Sequence, residues 1–144
     1  GGPLEPPQLV VVRQNVLELY DVLDHQRQPS MSLVARSAPL SAPPMQVLAF
    51  RPPGSDVDVL AVSVSHIHTV VLGFNPQTLA FDTMACIMLA DGPMVDEERG
   101  HVTPLLRYDP ARHLLAVFFH RHKLAVIPVL SVTAAEEQNQ KLAE

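Results

Sequence analysis

The chain has 144 residues, with 10 Lys and Arg against 15 Asp and Glu and a formal net charge of -5. Hydrophobic residues make up 47%, enough apolar surface to offset the entropy of ordering, which excludes a disordered chain. The acidic balance excludes binding to nucleic acid through overall charge. The 14 prolines are roughly twice the usual share and exclude a bundle of long helices.

Apolar runs of at most seven residues are too short to cross a membrane as a helix. No basic stretch followed by an apolar core marks a secretory leader. The single cysteine, Cys86, cannot close an internal disulfide, as expected of a reducing compartment.

In chain order, a Pro-rich lead-in precedes the first apolar segment, Leu9 to Val22, which reads as a hairpin turning at Gln14-Asn15. Ser37 to Pro44, with its prolines and serines, is a loop. Met45 to Phe50 is a strand stopped by Pro52-Pro53-Gly54, because proline cannot donate to a ladder. Val57 to Phe74 is a second hairpin, with its tip near Ser65-His66. Asn75-Pro76-Gln77-Thr78 is a turn in which Pro sets φ at the second position. Leu79 to Leu89 returns as a long outer strand, and Ala90 to Gly100 is a solvated loop carrying Asp96-Glu97-Glu98. Val102 to Tyr108 restarts the cycle, Asp109-Pro110 turns the chain, and Leu115 to Val129 is a third hairpin with its tip at His120-Arg121. Ala134 to Ala143, rich in Ala, Glu, Gln and Lys, reads as a short exposed helix.

The three hairpins begin at positions 9, 60 and 115, a spacing of 51 and then 55 residues. A unit of about fifty residues with a hairpin and two further strands is the size of a β-propeller blade. Val10-Val11-Val12 and Leu114 to Phe119 are apolar at nearly every position, as in sheets sandwiched between neighbours. The fold expected is all-β: a partial β-propeller of four-stranded antiparallel blades. The competing reading is one small barrel or sandwich of about ten strands.

Chemistry is sparse. His66-Ile67-His68 and His120-Arg121-His122 could each aim two imidazoles to one side of a strand. They sit at hairpin tips where polar residues are expected anyway, so no metal and no cofactor are expected. No Gly-x-Ser-x-Gly elbow anchors a hydrolase triad, and no Gly-rich loop cradles phosphate. Cys86, within Met84 to Met88, reads as a buried structural thiol. Arg107, Arg112, Arg121 and Lys123 make the third unit locally basic, but they are interrupted by apolar strand residues and do not form a groove for RNA. No enzyme is expected. The residues expected to contact partner proteins are the tips at His66, His68, His120 and Arg121 and the acidic loop at Asp96, Glu97 and Glu98.

These segments resemble the N-terminal propeller in the family of the largest subunit of the cleavage and polyadenylation specificity factor. The similarity runs through Glu5-Pro6-Pro7-Gln8-Leu9-Val10-Val11-Val12, then Leu17-Glu18-Leu19-Tyr20, then Phe74-Asn75-Pro76-Gln77-Thr78-Leu79. It continues through His101-Val102-Thr103-Pro104 and Tyr108-Asp109-Pro110 to Leu124-Ala125-Val126-Ile127-Pro128-Val129. The large subunit of the damaged-DNA-binding complex and the propeller subunit of splicing factor 3b share this blade grammar.

The resemblance implies a fragment of a longer scaffold: the end of a first blade over 4–36, a second blade over 45–89, the start of a third over 102–130 and an exposed tail over 131–144. It implies a non-catalytic nuclear scaffold of pre-messenger-RNA 3′-end processing, bound to protein subunits of that machinery, not itself binding RNA and not associated with a membrane. The alternatives are an adaptor of a cullin ubiquitin ligase or of the spliceosome, or a small metal- or RNA-binding β-domain.

Overall fold

The computed structural model describes residues 6–25, 28–89, 103–119 and 123–131. Every regular element among them is a strand, and within each sheet strands adjacent in sequence pair antiparallel. The first sheet holds β1 (Gln8–Arg13), β2 (Val16–His25) and β3 (Gln28–Arg36). The second, four-stranded, holds β4 (Gln46–Phe50), β5 (Val59–Ser63), β6 (His68–Asn75) and β7 (Ala80–Met88). The third holds β8 (Leu105–Asp109), β9 (Leu114–Phe119) and β10 (Lys123–Pro128). The sheets stay separate and, among the described residues, close into neither a barrel nor a propeller ring. The tail helix expected over Ala134 to Ala143 and the loop over Ala90 to Gly100 lie outside the described residues.

Local sequence explains the turns. Asn75 and Asp109 each precede a proline, and each side-chain oxygen accepts the backbone N–H groups two and three residues on: Gln77 at 2.9 Å and Thr78 at 3.4 Å, Ala111 at 2.9 Å and Arg112 at 3.4 Å. The side chain mimics a backbone turn, and both turns close on a residue of positive φ, Leu79 and His113. Pro52-Pro53-Gly54 ends β4 as expected, with Gly54 at φ +73°, where a Cβ is disfavoured.

β3 is the strand that the hydrophobic pattern does not announce, since Pro29, Ser30 and Ser32 interrupt it. It is an edge strand, and an edge tolerates proline.

The registers reveal a repeat independent of the side-chain pattern. Leu9 pairs with Tyr20 as Leu60 pairs with Leu72, and Ala61 pairs with Val71 as Ala116 pairs with Val126. The ladder shifts between Leu19 and Tyr20 in the first sheet and at the matching step, between Val71 and Leu72, in the second. Val34 in β3 and Met84 in β7 are the extra residues. β1–β2–β3 therefore correspond to β5–β6–β7, and β8–β9–β10 to β4–β5–β6.

The sheets pack in sequence order. Leu17 joins Leu60, Val62, Val64 and Leu72 between the first and second sheets. Phe50, Val59, Ala61 and Val71 meet Leu106, Leu115 and Val117 between the second and third. Corresponding strands touch: β4 lies against β8 and β3 against β7. The Phe50 and Tyr108 rings sit 4.7 Å apart, and the Tyr108 hydroxyl lies 3.1 Å from the Arg51 carbonyl, to which it donates. Burial, then the neighbouring Asp109 carboxylate, push the Tyr108 phenol pKa up, which keeps it a donor. The Gln46 side-chain oxygen accepts the Leu106 N–H at 2.6 Å across the same junction. Gln46→Ala removes that acceptor and is expected to cost about 1 kcal/mol in a urea titration, with Gln46→Glu, which keeps an oxygen there, closer to the parent chain.

The expectation that Val10 to Val12 and Leu114 to Phe119 bury both faces is corrected. Val12 is exposed, and β9 alternates between buried and half-buried residues. Among the described residues only the middle sheet has a neighbour on each side.

Candidate functional site

Of the seven side chains expected to meet partners, His66 and His68 come together at one hairpin tip. The turn between β5 and β6 spans residues 64–67, with His66 in it and His68 opening β6; both are half-buried. The tip is tied down locally. The His68 carbonyl accepts Val64 N–H at 3.0 Å and Ser65 N–H at 3.4 Å, and Ser65 Oγ accepts Ile67 N–H at 3.3 Å and His68 N–H at 3.1 Å. Behind it the Ser63 and Thr69 hydroxyls, both buried, share a 3.0 Å hydrogen bond. Asp96, Glu97, Glu98, His120 and Arg121 lie outside the described residues. Among the described residues no three His, Cys, Asp or Glu side chains are arranged to hold a metal ion.

Cys86 corrects a second expectation: it is exposed, because β7 is the outer strand of its sheet. In the basic third unit, Arg112 approaches Asp109 at 3.7 Å and Arg107 donates to the Leu106 carbonyl at 2.8 Å.

Three features of the surface were not legible as sites in the sequence. The first is the outer face of the first sheet, the one turned away from the second. By alternation it carries Leu9, Val11, Tyr20, Val22, Met31 and Leu33. Leu9, Val11 and Tyr20 hold the places that Leu60, Val62 and Leu72 hold in the middle sheet, where those residues pack toward the first sheet. Glu18 holds the place of Val70. Its carboxylate is 2% exposed as a residue and lies between two guanidiniums, bonded to Arg36 at 2.8 Å and to Arg13. The Arg36 hydrogen bond draws its pKa below the usual carboxylate value; burial opposes this, and Arg13 adds to it.

The second is the outer face of the third sheet: Leu105, Phe118, Leu124 and Val126. Leu124 is 62% and Val126 52% exposed.

The third is a cleft of about 690 Å³ between the second and third sheets, walled by Val71, Ala85, Ile87, Leu115, Ile127 and Val129. Asp58 and Asp82 stand at the end nearest the Asn75-Pro76 turn. No known protein-family model matches the chain, and no curated protein matches it.

Proposed function

We propose that this chain is a run of consecutive β-propeller blades acting as a non-catalytic scaffold that binds proteins. The observation carrying this reading is the mismatch between the middle sheet and its neighbours. Positions covered on both sides in the second sheet recur in the first and third, and there one face remains apolar and uncovered among the described residues. Apolar sheet faces of this kind are covered by further protein, and polymeric phosphate offers them nothing.

In this reading the first sheet supplies the last three strands of one blade, the second a whole blade, and the third the first three strands of the next. The resemblance read from the sequence points to the nuclear machinery of pre-messenger-RNA 3′-end formation, where rigid stacked sheets would display loops to other subunits.

The test places a photo-crosslinking residue at Met31 or Val126 and exposes the chain to nuclear extract. Crosslinks to subunits of the 3′-processing machinery are the expected result. Crosslinks confined to splicing or ubiquitin-ligase subunits would move the chain to those complexes. In parallel, single-stranded RNA carrying a polyadenylation signal should show no binding at physiological salt, and micromolar binding would overturn the protein-only reading.

A further inference from the structure

The repeat identifies what belongs in the cleft between the second and third sheets. Between the first and second sheets the corresponding outer position is held by β3, which pairs along β2 and lies against β7. The cavity left at that junction is about 130 Å³. Between the second and third sheets β10 takes the part of β2, yet no strand pairs along its outer edge among the described residues. There the cavity widens to about 690 Å³. The wider space borders the open edge of β10.

We propose that the outer edge of β10 and this cleft form a strand-addition site for an extended segment of a partner protein. The segment runs antiparallel to β10, with a basic residue toward its N-terminal end and apolar residues at alternate positions after it. Extended segments bind sheet edges through main-chain hydrogen bonds, and pockets for alternate side chains supply specificity.

Polarity follows from the topology. A strand antiparallel to β10 runs in the same direction as β7 and so meets Asp82 first, then Ala85, then Ile87. Asp58 is matched by Arg51 at 2.9 Å, whereas Asp82 meets the Asn75 side-chain amide at 3.4 Å and no cation among the described residues. A Lys or Arg entering at that end completes it. Farther along, Val71, Ala85 and Ile87 on one wall and Leu115, Ile127 and Val129 on the other take apolar side chains. Proline at Pro128 blunts the edge at its end, leaving Leu124 to Ile127 as the pairing stretch. The inference rests on the blade correspondence among the three sheets, with a partner's segment in place of the third blade's own fourth strand, and is independent of any role in 3′-end processing.

The experiment titrates the full chain with the labelled peptide Thr-Lys-Thr-Val-Thr-Val-Thr-Val-Ser, read by fluorescence anisotropy and by amide exchange. Saturable binding with slowed exchange at Leu124 to Ile127 is expected. Asp82→Lys, a change on an exposed side chain, should weaken binding at least 10-fold, and the same peptide with Glu for Lys should recover it. Ala85→Arg should abolish binding, while Leu9→Lys and Met31→Lys, on the far face of the first sheet, should leave it unchanged. Binding indifferent to Asp82→Lys and Ala85→Arg, or no saturable binding, would overturn the proposal. So would binding seen only with a chain ending at Ser131, which would give the cleft to the chain's own last residues.

Discussion

Leu115→Ala is expected to lower the folding stability by about 2–5 kcal/mol, the range for emptying a well-packed leucine site. Leu115 is 1% exposed and sits among Phe50, Val59, Leu106 and Val117, where the second and third sheets meet. The lost methyl groups open a cavity in a seam shared by two sheets, so both should loosen together. Leu124, on the opposite face of the same hairpin, supplies the internal comparison: Leu124→Ala should change stability by no more than about 0.5 kcal/mol. Urea titrations of both variants, followed by circular dichroism, decide the matter. Equal effects at the two positions would mean that the third sheet packs through the other face. The uncovered outer faces add a concentration dependence. The parent chain should associate in sedimentation runs at tens of micromolar, and Leu124→Lys combined with Val126→Lys should reduce that association.

Acid should destabilise the chain through Glu18 once the pH falls below the ordinary carboxylate range. Glu18 has a lowered pKa in the folded chain, set first by the Arg36 hydrogen bond and reinforced by Arg13 against the opposing effect of burial. A carboxyl that holds its proton less tightly when folded stabilises the native state above its unfolded pKa. That contribution fades as the pH drops through the lowered folded value. Stability carried by Glu18 should therefore be constant from neutral pH down to the ordinary carboxylate range and decline below it. Glu18→Gln keeps the shape but removes the titration, so its stability should start lower at neutral pH and fall less steeply with acid. The measurement is the denaturation midpoint of parent and variant at several pH values between neutral and about 3. Parallel curves would show that the Arg36 and Arg13 pairing carries no folding free energy. Because both arginines are largely exposed, the effect should also shrink as salt is raised.

The residues that announced themselves were those whose structure is decided within a few positions of the chain. β-branched runs on either side of Gln14-Asn15 and Ser65-His66 made hairpins, and Asn75-Pro76 and Asp109-Pro110 made turns, because side-chain oxygens and a fixed proline φ act locally. The spacing of the three hairpins was equally visible, since repetition needs no knowledge of contacts. β3 was not, because its signal is pairing with β2 and not its own composition: Ser and Pro become strand only when a neighbour supplies the ladder.

For the candidate sites the division is sharper. His66 and His68 could be named from the sequence, but that they crown a tip tied by Ser65 is a matter of hydrogen bonds. Glu18 is one polar residue within Leu17-Glu18-Leu19-Tyr20, and its enclosure depends on Arg36, which β3 brings alongside. Cys86 lies in an apolar run, yet the run belongs to an outer strand and the thiol is exposed. The cleft is a relation between two sheets and has no motif at all. Alternation along a strand makes two faces and can make both apolar, as in Val10 to Val12 and Leu114 to Phe119. Which face is covered is decided by the sheet that stacks against it. The sequence by itself therefore determined strands, turns and their threefold recurrence, while the pairing of β3 along β2 decided the enclosed carboxylate and stacking decided the buried faces and the open seat beside β10.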